Sequence, residues 1–212
     1  MNKHKTLVII GAGGHGRVVA DCAESIAIYH EIIFLDDCFS TRKNNSHWPI
    51  VGPIAHWTKY TDNADFIVAI GSNTLRESLL KKLFATNCCI ATLIHPTAFI
   101  STKSIIARGV VIFANAVVNV GARIDEGCII NTAATIDHDC HIQAYCHISP
   151  GVNIAGGVEV GTRSWLGIGS SVVEYITIAE NTQSGAGAVI THSTQSNTLY
   201  LGVPAQPSRS LT

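Results

Sequence analysis

The sequence predicts a small α/β domain followed by a long parallel β-helix. The N-terminal part alternates apolar strand patterns with helical ones, and from residue 94 to residue 178 an aliphatic residue returns at every sixth position. Alternating strands and helices are typical of a parallel sheet, whereas a repeat of six fits neither the helical period of about 3.6 nor the strand period of about two. We expect the domains to span residues 1–92 and 93–212.

The N-terminal domain contains three predicted strands and two predicted helices. The strands span residues 7–10, 31–35 and 64–70, and the helices span residues 17–28 and 74–86. Ligands of parallel sheets bind beyond the carboxyl ends of the strands. The residues that follow the three strands are therefore candidates for binding: Gly13, Gly14, His15, Asp36, Asp37 and Gly71.

The turn after the first strand, "GAGGHG" at residues 11–16, is rich in glycine and is followed about twenty positions later by Asp36. This spacing is the dinucleotide fingerprint, which taken alone predicts NAD. Glycines let backbone N–H groups approach a pyrophosphate at a helix N-terminus, and any nucleoside diphosphate could use them. About ninety residues hold one mononucleotide-binding half of a Rossmann-like sheet, so we expect a nucleotide sugar rather than NAD. A tight strand-to-helix turn without a ligand is the alternative.

The C-terminal domain is predicted from the repeat of six. Aliphatic residues occupy fifteen consecutive repeats, and a mostly small residue follows each of them four places later. Such hexapeptides form coils of about eighteen residues with three short flat sides, whose aliphatic corners point inward and stack into one column. Three cysteines, Cys128, Cys140 and Cys146, fall on the small inward positions. We expect them to be compact apolar fillers, and their spacing does not suit zinc, so no metal is predicted.

The composition and charge of the chain limit the partners and the cellular location that we expect. The formal net charge is −1 and only 14% of residues are charged, so there is no basic stripe and nucleic acid is not expected to bind. The N-terminus has a basic start, but its apolar run covers only residues 7–10 and no cleavage site follows, which favours a strand over a signal peptide. No apolar stretch reaches the ~18 residues that span a bilayer. Seven cysteines without a secretion signal indicate reduced thiols and a cytoplasmic protein.

Several motifs together carry a resemblance to a known family. They are "IIGAGGHGRVV", "IFLDD", "VAIGSN", "LIHPTAFIS", "NTAATIDHDCHI", "HISPGVNIAGGVEVG", "GIGSSV" and "LGVPAQPSR". With them, nearly the whole chain resembles the PglD/NeuD-type sugar acyltransferases, and most closely the acetyl-CoA-dependent N-acetyltransferases of UDP-4-amino-4,6-dideoxy sugars. The resemblance implies a left-handed β-helix, an exception to the right-handed crossover rule. It also implies a homotrimer with active sites between subunits, a UDP-amino-sugar substrate and a role in bacterial glycan biosynthesis.

The resemblance also implies roles for individual residues. His138 matches the general base, and Asp139 matches the acidic neighbour that raises its basicity, where relatives often carry Glu. Residues that match acetyl-CoA contacts are His147, Ala155, Ile168 and Ala186, the last at a position where glycine is common. In the N-terminal domain, Gly13, Gly14 and His15 match the diphosphate-sugar turn, Asp36 and Asp37 the uracil-reading pair, and Gly71 a further nucleotide contact.

The segment "TIDHDCHI", residues 135–142, contains the candidate base. The repeat places Ile136 inward and His138 outward. An imidazole with a pKa of about 6.5 is a suitable proton acceptor for an attacking amine at neutral pH, and a neighbouring carboxylate strengthens it. Asp137 or Asp139 could be that neighbour, and the motif favours Asp139. The alternative for this segment is turn polarity at the edge of a coil, and His141 is expected to be solvated.

Other functions remain open at this point. A sugar O-acetyltransferase of the sialic-acid type shares most of the motifs, as does an N-acetyltransferase acting on a GDP- or dTDP-linked amino sugar. A protein of another class, a non-catalytic scaffold that binds a nucleotide sugar, would keep the fold but would not need His138.

Overall fold

The computed structural model describes residues 5–211, so most of the basic start noted in the sequence lies outside the described residues. The chain divides into two compact units, Met1–Pro96 and Thr97–Thr212. The boundary predicted from the sequence, after residue 92, stays a prediction.

The N-terminal unit is a twisted sheet with two helices. Its strands are β1 (Thr6–Ile10), β2 (Glu31–Leu35), β3 (Asn44–Asn45), β4 (Trp48–Gly52), β5 (Ala64–Val68), β6 (Cys89–Ile90) and β7 (Leu93–Ile94), and its helices are α1 (Gly14–Ile26), α2 (Asn73–Phe84) and two short 3-10 helices, Asp37–Ser40 and Ile54–Tyr60. Six of the strands form one sheet in the order β3-β4-β2-β1-β5-β6. All neighbours pair in parallel except β3 and β4, which form a hairpin.

Continuous apolar runs explain the central strands, since strands buried on both faces need them. Every residue of β5 is buried, as are four of the five in β1.

Helix α1 begins earlier in the chain than the helix predicted over residues 17–28. It begins at Gly14 because the glycine turn itself forms the first helical turn, with the Arg17 N–H bonded to the Gly13 carbonyl at 3.1 Å.

The C-terminal unit is a parallel β-helix with three faces. Its first face contains Val111–Ile112, Ile129–Ile130, His147–Ile148, Trp165–Leu166 and Gln183–Ser184; its second face contains Phe99–Ile100, Val117–Val118, Thr135–Ile136, Asn153–Ile154, Ser171–Val172 and Val189–Ile190; its third face contains Ile105–Ile106, Arg123–Ile124, His141–Ile142, Glu159–Val160 and Thr177–Ile178. Each strand pairs in parallel with the strand one coil further along, as Thr135 does with Asn153, 18 residues later. An antiparallel hairpin of Thr198–Gly202 and Ala205–Ser210 follows. The prediction of an α/β unit followed by a left-handed parallel β-helix is confirmed.

The interior of the β-helix follows the repeat of six. The repeating aliphatic residues from Ile112 to Ile178 are all buried, whereas Ile100 and Ile106, in the first coil, are only partly so. The three inward cysteines are buried, and each thiol donates to a backbone carbonyl at 3.1 Å: Cys128 to Gln143, Cys140 to Ala155, and Cys146 to Gly161. Their predicted role as core fillers is confirmed.

From Gly109 to Gly187, every sixth residue has a left-handed backbone, with a positive φ. Glycine fills half of these positions between Gly109 and Gly187, and the others are Asn115, Ala133, Asp139, Tyr145, Arg163, Tyr175 and Asn181. This conformation costs an L residue about 1–2 kcal/mol, so each of the seven corners without glycine lowers the stability of the coil by about that amount. In the part of the chain that the structure describes, no helix is long and apolar enough to cross a membrane.

Candidate active site

His138 lies at the corner between the second and third faces of the β-helix. Ile136 points into the core, and the side chain of His138 points outward with 44% of its surface exposed. Its Nδ1 lies 3.0 Å from the Asp139 carboxylate. Because an ionised carboxylate can only accept, Nδ1 of the neutral imidazole carries the proton and Nε2 keeps a lone pair. The outward imidazole therefore has the tautomer that a base requires.

The two aspartates beside His138 have different tasks. Asp137 accepts the backbone N–H of His138 at 2.8 Å and the Asn119 amide at 2.9 Å, and these hydrogen bonds lower its pKa. Asp139 contacts the imidazole itself. Its hydrogen bond is the main reason that the pKa of His138 is raised above the usual value, with a smaller contribution from the negative charge of Asp137. Asp139 is thus the partner of the imidazole, as the motif suggested.

Glycines in the neighbouring coils leave space for this pair. Asp139 has a left-handed backbone with φ of 57°, and its side chain leans over Gly121, where an added Cβ would lie 2.3 Å from a carboxylate oxygen. The imidazole of His138 leans over Gly156 in the other direction, and a Cβ there would meet Nε2 at 2.4 Å. Neither glycine was singled out from the sequence, although both lie one coil, or 18 residues, from the residue that needs them.

A groove runs along the first face of the β-helix, and we name it the first-face groove. It is lined by Asn131, His147, Ser149, Pro150, Trp165, Gly167, Ile168, Gln183, Ser184 and Ala186. Three of the four residues predicted to bind acetyl-CoA, His147, Ile168 and Ala186, are therefore brought together by one chain. The fourth, Ala155, lines a different groove on the second face, together with Asp137. One chain does not place His138 in the first-face groove.

His147 is held by neutral neighbours. The Asn131 amide oxygen accepts the Thr132 N–H at 2.9 Å, which orients the amide so that its nitrogen donates to His147 Nε2 at 3.2 Å. Nε2 is therefore an acceptor, and Nδ1 carries the proton of the neutral ring. Trp165, one coil further along, stacks on the imidazole with a centroid distance of 5.3 Å and an interplanar angle of 8°. Neither Asn131 nor Trp165 was predicted from the sequence as a site residue.

In the N-terminal unit, the predicted binding residues meet at the carboxyl edge of the sheet. Gly13 and Gly14 follow β1, Asp36 follows β2, and Gly71 follows β5. Because β2 and β5 flank β1 on opposite sides, the strand order reverses here, and such switch points are where α/β sheets bind ligands. A Cβ added at Gly13, Gly14 or Gly71 would meet nothing within 4 Å. These glycines therefore leave an open surface, as a ligand that approaches the backbone requires.

The two aspartates at this edge bond to the protein's own backbone. Asp36 accepts from the Ala12 N–H at 2.6 Å and the Cys38 N–H at 2.8 Å, and Asp37 accepts from the Ile54 N–H at 3.0 Å. Burial works to raise the pKa of Asp36, but its hydrogen bonds to Cys38 and Ala12 and the charge of Arg42 outweigh burial, so the pKa is lowered. Asp36 therefore ties the glycine turn to the end of β2.

Two residues that the sequence analysis missed also hold the glycine turn. Asn45, from β3, is almost fully buried, and its amide nitrogen donates to the Ala12 and Gly13 carbonyls at 3.0 Å each. Its amide oxygen accepts from Arg17 at 3.0 Å, and the Arg42 guanidinium donates to the Ala12 carbonyl. No local signal marks these contacts, because the Asn45 side chain reaches the turn from a position 33 residues further along the chain, beyond α1 and β2.

Burial lowers the pKa of His15 to about 4, and the nearby charge of Arg76 contributes further. His15 is therefore neutral at neutral pH. Arg76 is itself buried, and its guanidinium donates to the Ile70 carbonyl at 3.0 Å and to the Gly71 carbonyl at 3.2 Å. A buried positive charge thus lies beside Gly71 and acts on His15, and at this edge of the sheet it would favour an anionic ligand.

His141 differs from its prediction. It is not simply solvated, because its Nε2 lies 2.8 Å from the Asp125 carboxylate, which also pairs with Arg123 at 2.8 Å. These residues belong to the third face and its edge rather than to either groove. Among residues 5–211, no group of three or more His, Cys, Asp or Glu side chains is arranged to hold a metal ion.

Comparison with known proteins gives matches to both units. Residues 6–83 match the family described as the PglD N-terminal domain. The acetyltransferase domain of PglB from Neisseria gonorrhoeae FA1090, in complex with acetyl coenzyme A, is 37% identical with a TM-score of 0.93, over 97% of this chain and 100% of that one. A variant of perosamine N-acetyltransferase from Caulobacter crescentus, in complex with CoA and GDP-perosamine, is 32% identical with a TM-score of 0.91, over 97% of both chains.

A curated protein also matches over part of its length. The UDP-N-acetylbacillosamine N-acetyltransferase of Bacillus subtilis (strain 168) is 33% identical over 113 residues. The match spans about half of each protein, 52% of this chain and 52% of the relative.

Proposed function

Since the chain belongs to the PglD/NeuD-type sugar acyltransferases, we propose that it transfers an acetyl group from acetyl-CoA to the amino group of a nucleotide-linked 4-amino-4,6-dideoxy sugar. The observation that carries the proposal is the His138–Asp139 pair, an outward imidazole whose Nδ1 is bonded to a carboxylate at 3.0 Å. A chain that only bound a nucleotide sugar would have no use for a base prepared in this way. The similarity over nearly the whole chain to an acetyltransferase domain bound to acetyl-CoA and to an N-acetyltransferase supports the same reaction.

The reaction follows from this geometry. The lone pair of the sugar amine attacks the thioester carbonyl carbon, forming a C–N bond and a tetrahedral intermediate. His138 Nε2 accepts the proton that the amine nitrogen must lose, and Asp139 stabilises the imidazolium that forms. Collapse of the intermediate breaks the C–S bond, and the proton passes to the CoA sulfur. The products are the N-acetyl sugar and CoA, and neither step requires a metal.

We propose that the first-face groove, which would bind acetyl-CoA, and the base of a neighbouring subunit meet at the interface between the two subunits. His138 lies at the corner of the second and third faces, whereas His147, Ile168 and Ala186 line the groove of the first face. A homotrimer would bring the corner of one subunit to the groove of its neighbour. Sedimentation analysis of the full chain tests this arrangement, and a monomer with full activity would contradict it.

We propose UDP as the nucleotide, because Asp36 and Asp37 match the uracil-reading pair of the family. The B. subtilis relative, whose name gives a UDP sugar, supports it. GDP is the second candidate, because the Caulobacter relative was solved with GDP-perosamine. In either case Gly13, Gly14 and His15 would contact the diphosphate, and Gly71, whose carbonyl is bonded to Arg76, would make a further nucleotide contact.

A panel assay tests the proposal. Release of the CoA thiol is measured with acetyl-CoA and UDP-, GDP- and dTDP-linked 4-amino-4,6-dideoxy sugars, with a sialic acid as the hydroxyl acceptor. We expect turnover with an amino sugar and the highest kcat/KM with UDP. A preference for GDP would change only the nucleotide that we propose. Turnover of the sialic acid alone would make the chain an O-acetyltransferase. Binding of a nucleotide sugar without turnover would make it a non-catalytic scaffold.

A further inference from the structure

Trp165 is a large, partly exposed aromatic residue on the first face of the β-helix. It lies directly beside His147 in the parallel pairing of the first face, and the two rings stack almost parallel. The indole N–H donates to the Ser149 hydroxyl at 2.9 Å. Stacking and this hydrogen bond together fix the plane of the indole.

The indole in turn fixes the imidazole. His147 is only 9% exposed, with Asn131 bonded at Nε2 and the ring of Trp165 against one face. Stacking on Trp165 fixes the plane of the imidazole and the hydrogen bond from Asn131 fixes which nitrogen is Nε2 in that plane, so the two neighbours together set the direction of Nδ1. A leucine or valine at position 165 would bury the histidine but would not define its plane.

Trp165 also contributes surface to the groove. It is 40% exposed and lines the first-face groove with Ile168, which is 57% exposed, and Ala186. Exposed apolar side chains that line one groove are a feature of binding sites. An indole edge beside an aliphatic side chain suits a flexible chain with both methylene and amide groups.

We propose that Trp165 is a positioning residue for His147 and the aromatic wall against which the pantetheine arm of acetyl-CoA lies. The proposal rests on the proposed function, because it assigns acetyl-CoA to the first-face groove. It adds a residue that no motif identified. It also predicts that binding of acetyl-CoA changes the environment of the indole.

Intrinsic fluorescence and steady-state kinetics test the proposal in the full chain. The protein contains three tryptophans, so Trp165→Phe removes the reporter and keeps an aromatic ring, whereas Trp57→Phe removes a tryptophan that packs on Phe66 in the N-terminal unit. We expect CoA to change the fluorescence of the wild type and of Trp57→Phe but not of Trp165→Phe. Trp165→Ala should raise the KM for acetyl-CoA about five- to tenfold, the size expected for a lost aromatic pair, with kcat within about twofold and the KM for the amino sugar unchanged. Trp165→Phe should recover most of that loss.

The outcomes separate this proposal from the proposed function. If calorimetry shows that the wild type does not bind CoA, both fail. If the wild type binds CoA and turns over the amino sugar, but the fluorescence change persists in Trp165→Phe, the indole does not contact the cofactor and only this proposal fails. An unchanged KM for acetyl-CoA in folded Trp165→Ala would overturn it equally, and if Trp165→Ala does not fold, the fluorescence of Trp165→Phe decides.

Discussion

His138 and His147 stand nine residues apart on the same β-helix, yet their surroundings suit them to different chemistry. His138 projects from a corner and pairs with a carboxylate that raises its pKa. His147 is buried in a face between an amide and an indole, both neutral. Each neutral ring carries its proton on Nδ1, but Nε2 of His147 already accepts from Asn131, whereas the hydrogen bond of the His138 ring to Asp139 is at Nδ1 and leaves the lone pair of Nε2 for a proton. The comparison shows that the neighbours of an imidazole, rather than its presence in a motif, set what it can do.

Replacing His138 should have the largest effect. We expect His138→Ala to lower kcat by about 10²–10⁴-fold, the usual contribution of a positioned general base. The side chain is 44% exposed and fills no core space, so the thermal midpoint should stay nearly unchanged. His141→Ala is the matched control, because it removes an imidazole that also pairs with a carboxylate but belongs to the third face. A folded His138→Ala protein with most of its turnover would place the base elsewhere or leave only proximity to explain the rate.

Replacing His147 should affect binding rather than chemistry. We expect His147→Ala to raise the KM for acetyl-CoA up to about tenfold, as loss of one hydrogen bond predicts, with a much smaller change in kcat. Initial rates over a matrix of both substrates measure the two constants separately. A loss confined to kcat, as large as that of His138→Ala, would erase the distinction between the two histidines.

The pH dependence of the rate should report the carboxylate beside His138. Because the base must be deprotonated, kcat/KM should rise with pH and level off above the imidazole pKa, and the raised pKa of His138 places this limb above about 6.5. Asp139→Asn removes the charge that favours the imidazolium, so the limb should move to lower pH. The plateau should also fall several-fold, because the base is weaker. A limb that stays in place after this substitution would mean that another group titrates.

The two units also differ in how far their sequences predict them. Fifteen aliphatic residues in register leave few alternatives to a β-helix. The coil length of 18 residues also predicts that Gly121 is the neighbour of Asp139, and Trp165 the neighbour of His147, in the adjacent coil. Which way a side chain leans does not follow from that register, so the roles of these neighbours required the structure. The N-terminal unit has no such repeat. Its three central strands, β1, β2 and β5, were predicted, but β3, β4 and β6 were not. Asn45 of β3 was missed as well, because its contacts join distant segments.

Gly121→Ala, the substitution with the smallest expected effect on the rate, tests whether catalysis depends on the orientation of Asp139 as well as on its charge. Gly121→Ala and Gly151→Ala both place alanine in a left-handed corner, with φ of 73° and 66°. Each should therefore lose roughly 1–2 kcal/mol of stability for the same backbone reason. Only at Gly121 would the new Cβ meet Asp139, at 2.3 Å, because nothing lies within 4 Å at Gly151.

Gly121→Ala should therefore push the carboxylate off the imidazole and lower kcat about two- to fivefold, less than Asp139→Asn, since the charge stays nearby. Its pH limb should shift in the same direction as that of Asp139→Asn, but by less. Gly151→Ala should match it in thermal midpoint and keep the rate and pH profile of the wild type. If both variants lose rate equally, backbone strain explains the loss. If neither does, the exposed carboxylate finds the imidazole from another position, and the His138–Asp139 pair depends on charge rather than on the space that Gly121 leaves.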